Sequence, residues 1–181
     1  MTTIAFYKPF QVVCQFSGEG RTLSDFNLPK DIYAAGRLDK DSEGLLILTD
    51  DGALNQKITH PKFEKTKIYH VQVEGVPDSK SLRKLQSGVI IKDYMTLPCE
   101  AKIIDDPKYP DREPPIRERA NIPTTWLEIC LKEGKNRQVR RMTAAIGFPT
   151  LRLVRYKIGL VSLEDLVPGE WREIAPTEVL G

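Results

Sequence analysis

From Lys67 onward the chain spells out a fixed series of segments, and their order restricts the fold more than any other feature of its 181 residues. "KIYHVQVEG" alternates: Tyr69, Val71 and Val73 fall on one side, His70, Gln72 and Glu74 on the other. That is the period of a strand with one buried face. "PDSKSLRKLQSG" then reads as a helix, with Asp78 or Ser79 as cap, Leu82 and Leu85 inward and Gly88 as stop. A short strand at 89–91 and a longer one near 98–104 follow. After a loop, "TTWLEICL" is the next strand. A helix over 137–146, capped by Asn136 and ended by Gly147 and Pro149, leads to a last strand, "LRLVRY". Strand, helix, strand, strand, helix, strand is the split βαβ, ferredoxin-like order.

The N-terminal part reads as a shorter, degenerate lobe of similar kind, giving approximate lobes 1–62 and 63–181 of one catalytic-size domain. Residues 45–48 are apolar on both faces, so they form a central strand covered on both sides. "RTLSDF" is a short helix, and Asp50 or Asp51 caps another over about 53–58, which His60-Pro61 ends. A C-terminal hairpin is expected to turn at Pro168-Gly169. The Pro-rich, charged stretch 105–123 is too long for an idle loop in a compact domain, and so points to function or to a missed element. The fold class is therefore α+β, with a mixed, mostly antiparallel sheet in two ferredoxin-like lobes.

Composition removes several kinds of function. Hydrophobic residues make up 40% and charged residues 29%, the balance of an ordinary globular protein without a membrane span. "MTTIAFYKPF" lacks the charged and apolar regions of a secretory leader, so a cytoplasmic protein is expected. Cys14, Cys99 and Cys130 are odd in number and far apart, and His60 and His70 have no cysteine near them. Neither a disulfide framework nor a metal site follows from such spacing, and no cofactor is expected. Net charge is only +2, but 132–157 holds Lys132, Lys135, Arg137, Arg140, Arg141, Arg152, Arg155 and Lys157 against the single acid Glu133. A local basic surface on a nearly neutral chain suits a nucleic-acid phosphate backbone. An amphipathic helix with a solvated basic side would account for Arg137, Arg140 and Arg141 equally well.

"GRLDKDSEGLLILTDDG" raises a similar choice. Asp39, two residues after Arg37, could be a solvated turn residue or a carboxylate held at a sheet edge for chemistry. Asp41 and Glu43 could be imagined as a glycosidase pair, but neighbouring carboxylates are common and aromatic residues are only 8%. Taken in order, "YKPFQVV", "GRLDKDSEGLLILTDDG", "KIYHVQVEG" and "EGKNRQVRRM" closely resemble the pseudouridine synthases of the ribosomal small-subunit synthase A family. The best match within it is the E-type branch, whose target is large-subunit RNA. "EPPIRERANIPTTW", "GFPTLRLVRY" and "GEWRE" extend the resemblance over essentially the whole chain.

The resemblance implies an isomerase that breaks the C1′–N1 bond of a uridine, turns the uracil and rejoins it through C5, with neither metal nor redox cofactor. It implies that Asp39 is the catalytic carboxylate, acting on C1′, on a sugar proton or on the base. It implies that Arg140 pairs with that carboxylate, that Tyr69 packs on the target base, and that Arg37 helps fill the space left by an extruded uridine. Lys135, Arg137, Arg141, Arg152 and Arg155 are then expected to grip RNA, with Arg112, Arg117 and Arg119 as further candidates. The expected partner is ribosomal RNA, 23S by the E-type match, bound by a monomer that has no membrane partner. Many relatives carry a small N-terminal S4 domain. Here the catalytic motifs start at Ile4, so none is expected. A non-catalytic RNA-binding or ribosome-assembly protein on the same fold, and the same chemistry on another rRNA or tRNA uridine, are the rival readings.

Overall fold

A computed structural model describes residues 1–181. In chain order its strands are β1 (Thr3–Lys8), β2 (Val12–Val13), β3 (Arg21–Thr22), β4 (Tyr33–Ala34), β5 (Glu43–Thr49), β6 (Lys67–Glu74), β7 (Ile90–Ile91), β8 (Tyr94–Met95), β9 (Glu100–Ile104), β10 (Thr124–Leu131), β11 (Thr150–Ile158), β12 (Val161–Ser162) and β13 (Trp171–Glu173). The helices are α1 (Gly52–Thr59), α2 (Ser79–Ser87), α3 (Gln138–Ala145) and α4 (Pro176–Leu180), with 3-10 turns at Leu23–Phe26 and Pro61–Phe63. The chain divides into two units: one of Met1–Lys67 with Val154–Gly181, the other of Ile68–Leu153. The boundary thus falls inside β11, and the C-terminal segment rejoins the first unit. The lobe reading 63–181 missed this because a strand running through a boundary leaves no composition break.

In the first unit the strand order is β13-β1-β5-β11, with β4 beside β5 and β12 beside β11. β5 is buried along its whole length, as its run of Leu45, Leu46, Ile47 and Leu48 requires. Each such side chain gains about 1.5–3 kcal/mol from burial. It runs antiparallel to β1, with Ile4 opposite Leu48 and Phe6 opposite Leu46. Ile4, Phe6, Val12, Leu23, Ile32, Leu46 and Leu48 form one buried cluster. Asp51 caps α1, its carboxylate accepting from the Ala53 and Leu54 amides at 3.0 and 3.1 Å. The expected C-terminal hairpin is not formed. After the Pro168-Gly169 turn the chain pairs with the outer edge of β1, Ile4 opposite Glu173, so the turn's flanking segments part company. The short helix α4 then ends the chain.

In the second unit the first part of β11, then β6, β10 and β9, gives the strand order of a split βαβ unit, with α2 and α3 as its helices. β6 alternates as its sequence demands. Tyr69, Val71 and Val73 join Leu85 of α2, Leu127, Ile129 and Leu131 of β10, and Val139 and Met142 of α3 in one core. Asp78 caps α2 by accepting from the Ser81 amide at 2.8 Å. The expected cap of α3 is corrected: Arg137, not Asn136, is the N-cap, at φ 51°, and its side chain makes no capping bond. Instead the Lys135 amide donates to the Gln138 side-chain oxygen at 3.0 Å, closing the turn from within the helix. Residues 105–123 contain no regular element, as expected.

Candidate active site

The Asp39 turn, in the first unit, is fixed by its backbone. Leu38 is 6% exposed and sits in the core, while Arg37 is exposed and Asp39 half-buried. An anchored apolar residue between two charged ones turns both charges away from the core. The Ser42 amide donates to the Asp39 carbonyl at 3.0 Å, and the Gln11 amide to the Lys40 carbonyl at 2.8 Å. Two buried basic side chains reinforce the mount.

The first is Lys8, fully buried at the end of β1. Its Nζ donates to the carbonyls of Pro9 and Val12 at 2.8 and 2.9 Å and reaches that of Lys40 at 3.5 Å. Burial pulls the Lys8 amine down from 10.5 to about 8, with the nearby Cys14, Glu43, Asp41 and Asp39 acting in the opposite sense. The second is Arg155 of β11, 5% exposed. Its Nε donates to the Leu45 carbonyl at 2.8 Å and its Nη1 reaches the Arg37 carbonyl at 3.5 Å. Its Nη2 is buried without a hydrogen-bond partner, a desolvation cost of about 1–3 kcal/mol.

Gly44 explains why β11 can come so close. Arg155 lies opposite Gly44 in the parallel β5–β11 pair. Gly44 has φ +112°, and a Cβ there would lie 2.3 Å from the Arg155 carbonyl oxygen and 2.7 Å from its nitrogen. Only glycine fits both the conformation and the gap.

The second unit holds the other candidates. Tyr69, 9% exposed, lies in the same core cluster as Val139 and Met142 of α3. On α3, Arg140 and Arg141 are half-buried and Arg137 is exposed. Arg141 Nη2 donates to the Asn136 side-chain oxygen at 3.3 Å. Lys135 is exposed, with its Nζ 4.5 Å from the centre of the Tyr94 ring. The loop leading to α3 is held by the buried Glu133, which accepts from the Tyr94 hydroxyl at 2.5 Å and the Leu97 amide at 2.7 Å.

Arg152 and Arg155 do not lie on the open basic surface that their sequence neighbourhood suggested. Arg152 is 7% exposed and donates from Nη2 to the Pro110 carbonyl at 2.7 Å. Both side chains meet backbone carbonyls instead, Arg152 that of Pro110 in the irregular 105–123 stretch and Arg155 those of Leu45 in β5 and Arg37 in the Asp39 turn. The stretch 105–123 is pinned at other points too. Tyr109 OH lies 2.5 Å from His70 Nδ1, and His70 Nε2 lies 3.0 Å from Glu128. Arg112 donates to the carbonyls of Pro114 and Leu151 at 3.0 and 3.3 Å, and Arg119 pairs with Glu74 at 3.3 Å. The expected solvent face of β6 is thereby covered, and His70 is buried. Sequence reading missed Lys8, Glu133, Gly44 and His70 as structural contributors. The visible signals were a lysine at a strand end, one acid within a basic run, and a glycine beginning an apolar strand.

No group of three or more His, Cys, Asp or Glu residues is arranged to hold a metal ion. What the Asp39 turn can offer is one carboxylate of defined position beside an exposed guanidinium.

The chain matches the RNA pseudouridylate synthase family over residues 2–145. It is 58% identical over 173 residues to ribosomal large subunit pseudouridine synthase E of Vibrio parahaemolyticus, covering 94% of this chain and 73% of that protein. To the synthase of the same description from Xanthomonas campestris it is 51% identical, covering 91% of each. Ribosomal small subunit pseudouridine synthase A of Vibrio cholerae is more distant, at 32% identity over 97% of this chain and 71% of that one. Among solved structures, a pseudouridylate synthase crystal structure superposes with a TM-score of 0.82 at 29% identity, over 98% of this chain and 72% of the other. A fold of the same α+β kind and a family match over most of its length make this chain a member of the RNA pseudouridylate synthase family, an isomerase acting on RNA.

Proposed function

We propose that the chain converts a uridine of large-subunit ribosomal RNA, 23S rRNA, to pseudouridine with Asp39 as the catalytic carboxylate. The observation that supports Asp39 most directly is its mount: a half-buried carboxylate on a turn whose backbone is held by Leu38, Lys8, Gln11, Ser42 and Arg155. Reactions that need a group within a fraction of an ångström of its target are favoured by such preorganisation. Tyr69 takes the role of packing on the uracil, and Arg140 that of electrostatic support for the carboxylate, as the resemblance implies. Arg37, exposed beside Asp39, assists extrusion of the base. Lys135, Arg137 and Arg141 supply phosphate contacts. The large-subunit substrate is supported by the names of the relatives above half identity. The enzyme meets rRNA in the cytoplasm and works as a monomer. No helix is long and apolar enough to cross a membrane.

Tritium release from [5-³H]uridine-labelled 23S rRNA tests the reaction, and a pseudouridine map of rRNA from cells with and without the gene tests the target. Release by the wild type, its absence in Asp39→Asn and loss of one pseudouridine from 23S rRNA are expected. A pseudouridine lost from another RNA instead would overturn the substrate, and turnover by Asp39→Asn would overturn the carboxylate.

A further inference from the structure

We infer that Arg155 is a positioning residue for Asp39, acting through the backbone, and not one of the phosphate-binding arginines. The inference rests on the reading of Asp39 as the catalytic carboxylate. The guanidinium bridges the two ends of the segment that carries Asp39: Nε donates to the Leu45 carbonyl at 2.8 Å, and Nη1 faces the Arg37 carbonyl at 3.5 Å. Only 5% of the residue is exposed, so it presents no fork to a phosphate. The approach that makes the bridge possible is built into the strand pair, because Gly44 lies opposite Arg155 and has no room for a side chain.

Neither lysine nor glutamine reproduces this bridge. Lysine is a point donor on a flexible stem and cannot hold two carbonyls in a fixed plane. Glutamine is too short to keep the span. Loss of the bridge leaves the turn with the Ser42 bond to the Asp39 carbonyl and the Lys40 contacts, but without its anchor on the β11 side. Asp39 would then occupy its working position for a smaller part of the time. Misplacement by about 1 Å lowers a rate on the order of 10²-fold.

The test compares wild type, Asp39→Asn, Arg155→Lys and Arg155→Gln. Single-turnover tritium release from 23S rRNA, RNA affinity at several salt concentrations and amide hydrogen exchange are read for each. For both Arg155 variants the rate should fall by roughly 10- to 100-fold, with affinity and its salt slope unchanged. Protection of the Ser42 amide should drop while that of β1 persists. A salt slope lower by about one unit, with weaker binding, would make Arg155 a phosphate ligand and overturn the inference. So would a wild-type rate. The Asp39→Asn control separates the two readings: turnover there refutes Asp39 itself, whereas an inactive Asp39→Asn beside a fully active Arg155→Lys refutes only the positioning role. Should neither Arg155 variant fold, the Arg155 Nε proton is followed by NMR in Asp39→Asn, with and without 23S rRNA fragments. A slowly exchanging proton whose shift RNA leaves unmoved is expected. Fast exchange, or a shift that moves on binding, overturns the inference.

Discussion

The Asp39 turn and the 105–123 segment are both irregular backbone, and an arginine of β11 holds each by its carbonyls, yet the two are held for different ends. Around Asp39 the supports converge on a short stretch. Lys8 and Arg155 are almost wholly buried; Lys8 holds the carbonyls of Pro9 and Val12 and reaches that of Lys40, and Arg155 holds that of Leu45 and reaches that of Arg37. Along 105–123 the supports are spread out: Arg152 at Pro110, His70 at Tyr109, Arg112 at Leu151, and Arg119 at Glu74. One of these is an imidazole and another a half-exposed ion pair, worth at most about 1 kcal/mol. Converging buried supports fix the position of one group. Scattered supports, with Arg152 and His70 buried but Arg112 and Arg119 partly exposed, fasten a cover that can open locally at low cost.

The largest effect that could break this comparison is catalytic. Asp39→Asn preserves the shape of the side chain and the Ser42 bond to its backbone carbonyl, and removes only the charge. Turnover in the tritium assay should fall by about 10³-fold or more, the scale of losing an essential catalytic group, while thermal stability stays close to wild type. Equal losses in both would mean that the carboxylate maintains the turn and does not perform the reaction.

Next in size is the strand approach. Gly44→Ala places a Cβ within 2.3 Å of the Arg155 carbonyl oxygen at φ +112°. The backbone must separate there, at a cost of roughly 3 kcal/mol or more. Chemical denaturation should show that loss, with amide protection falling first between 37 and 45. If stability falls by less than about 0.5 kcal/mol, β5 and β11 are not in the tight contact described.

How far these features could be read beforehand differs along the same lines. The split βαβ order, the cap of α2, the burial of β5 and the exposure of Arg37 beside buried Leu38 follow from local pattern, because each is decided by neighbours in sequence. Lys8, Glu133, Arg152 and Arg155 are not local cases. The basic run suggested an RNA-facing surface for Arg152 and Arg155, and segments far along the chain bury them and supply their carbonyls. Glu133 is buried where it accepts from the Tyr94 hydroxyl and the Leu97 amide, and Lys8 where it donates to the carbonyls of Pro9 and Val12 and reaches that of Lys40. Position on β11 decided the matter for Arg155, and nothing in "LRLVRY" distinguishes a side chain that meets carbonyls from one that meets phosphate. The C-terminal hairpin failed for a related reason. A turn at Pro168-Gly169 was visible, but the open edge of β1 that takes up β13 was not. Asn136 was a sound cap by residue type, and the Lys135–Gln138 bond displaced it.

A smaller, sharper contrast lies within α3. Arg137 is exposed at its start, and Arg140 is half-buried one turn on. Arg137→Ala should weaken affinity for any RNA and lower the salt slope by about one unit. Arg140→Ala should reduce the single-turnover rate with affinity nearly unchanged. Binding and single-turnover measurements at several salt concentrations distinguish them. If both variants lost only salt-dependent binding, α3 would be a phosphate-binding helix and Arg140 would have no part in the chemistry.

The smallest expected effect concerns the fastening of the 105–123 segment. An ionised Glu128 can only accept, so His70 Nε2 carries the proton toward it, and Nδ1 accepts from the Tyr109 hydroxyl. Burial lowers the His70 pKa from 6.5, while the hydrogen bond to Glu128 and its charge work against that shift; Glu128 also pairs with the exposed Lys102 at 3.6 Å. With the folded value below the unfolded one, the unfolded chain takes up this proton first as pH falls. Stability should therefore decline as pH drops below about 6.5 and level off once the folded-state value is passed. His70→Gln removes that contribution, so the stability difference between wild type and variant should shrink on the acid side of neutrality. Denaturation at pH 7.5 and at steps down to pH 5, with proteolysis of 105–123 followed in parallel, reads both quantities. The acid loss should coincide with faster cleavage inside the segment, while Ser42 in the Asp39 turn keeps its amide protection. Cleavage independent of pH, or an equal loss of protection at Ser42, would show that the two irregular regions are not fastened in the different ways their contacts describe.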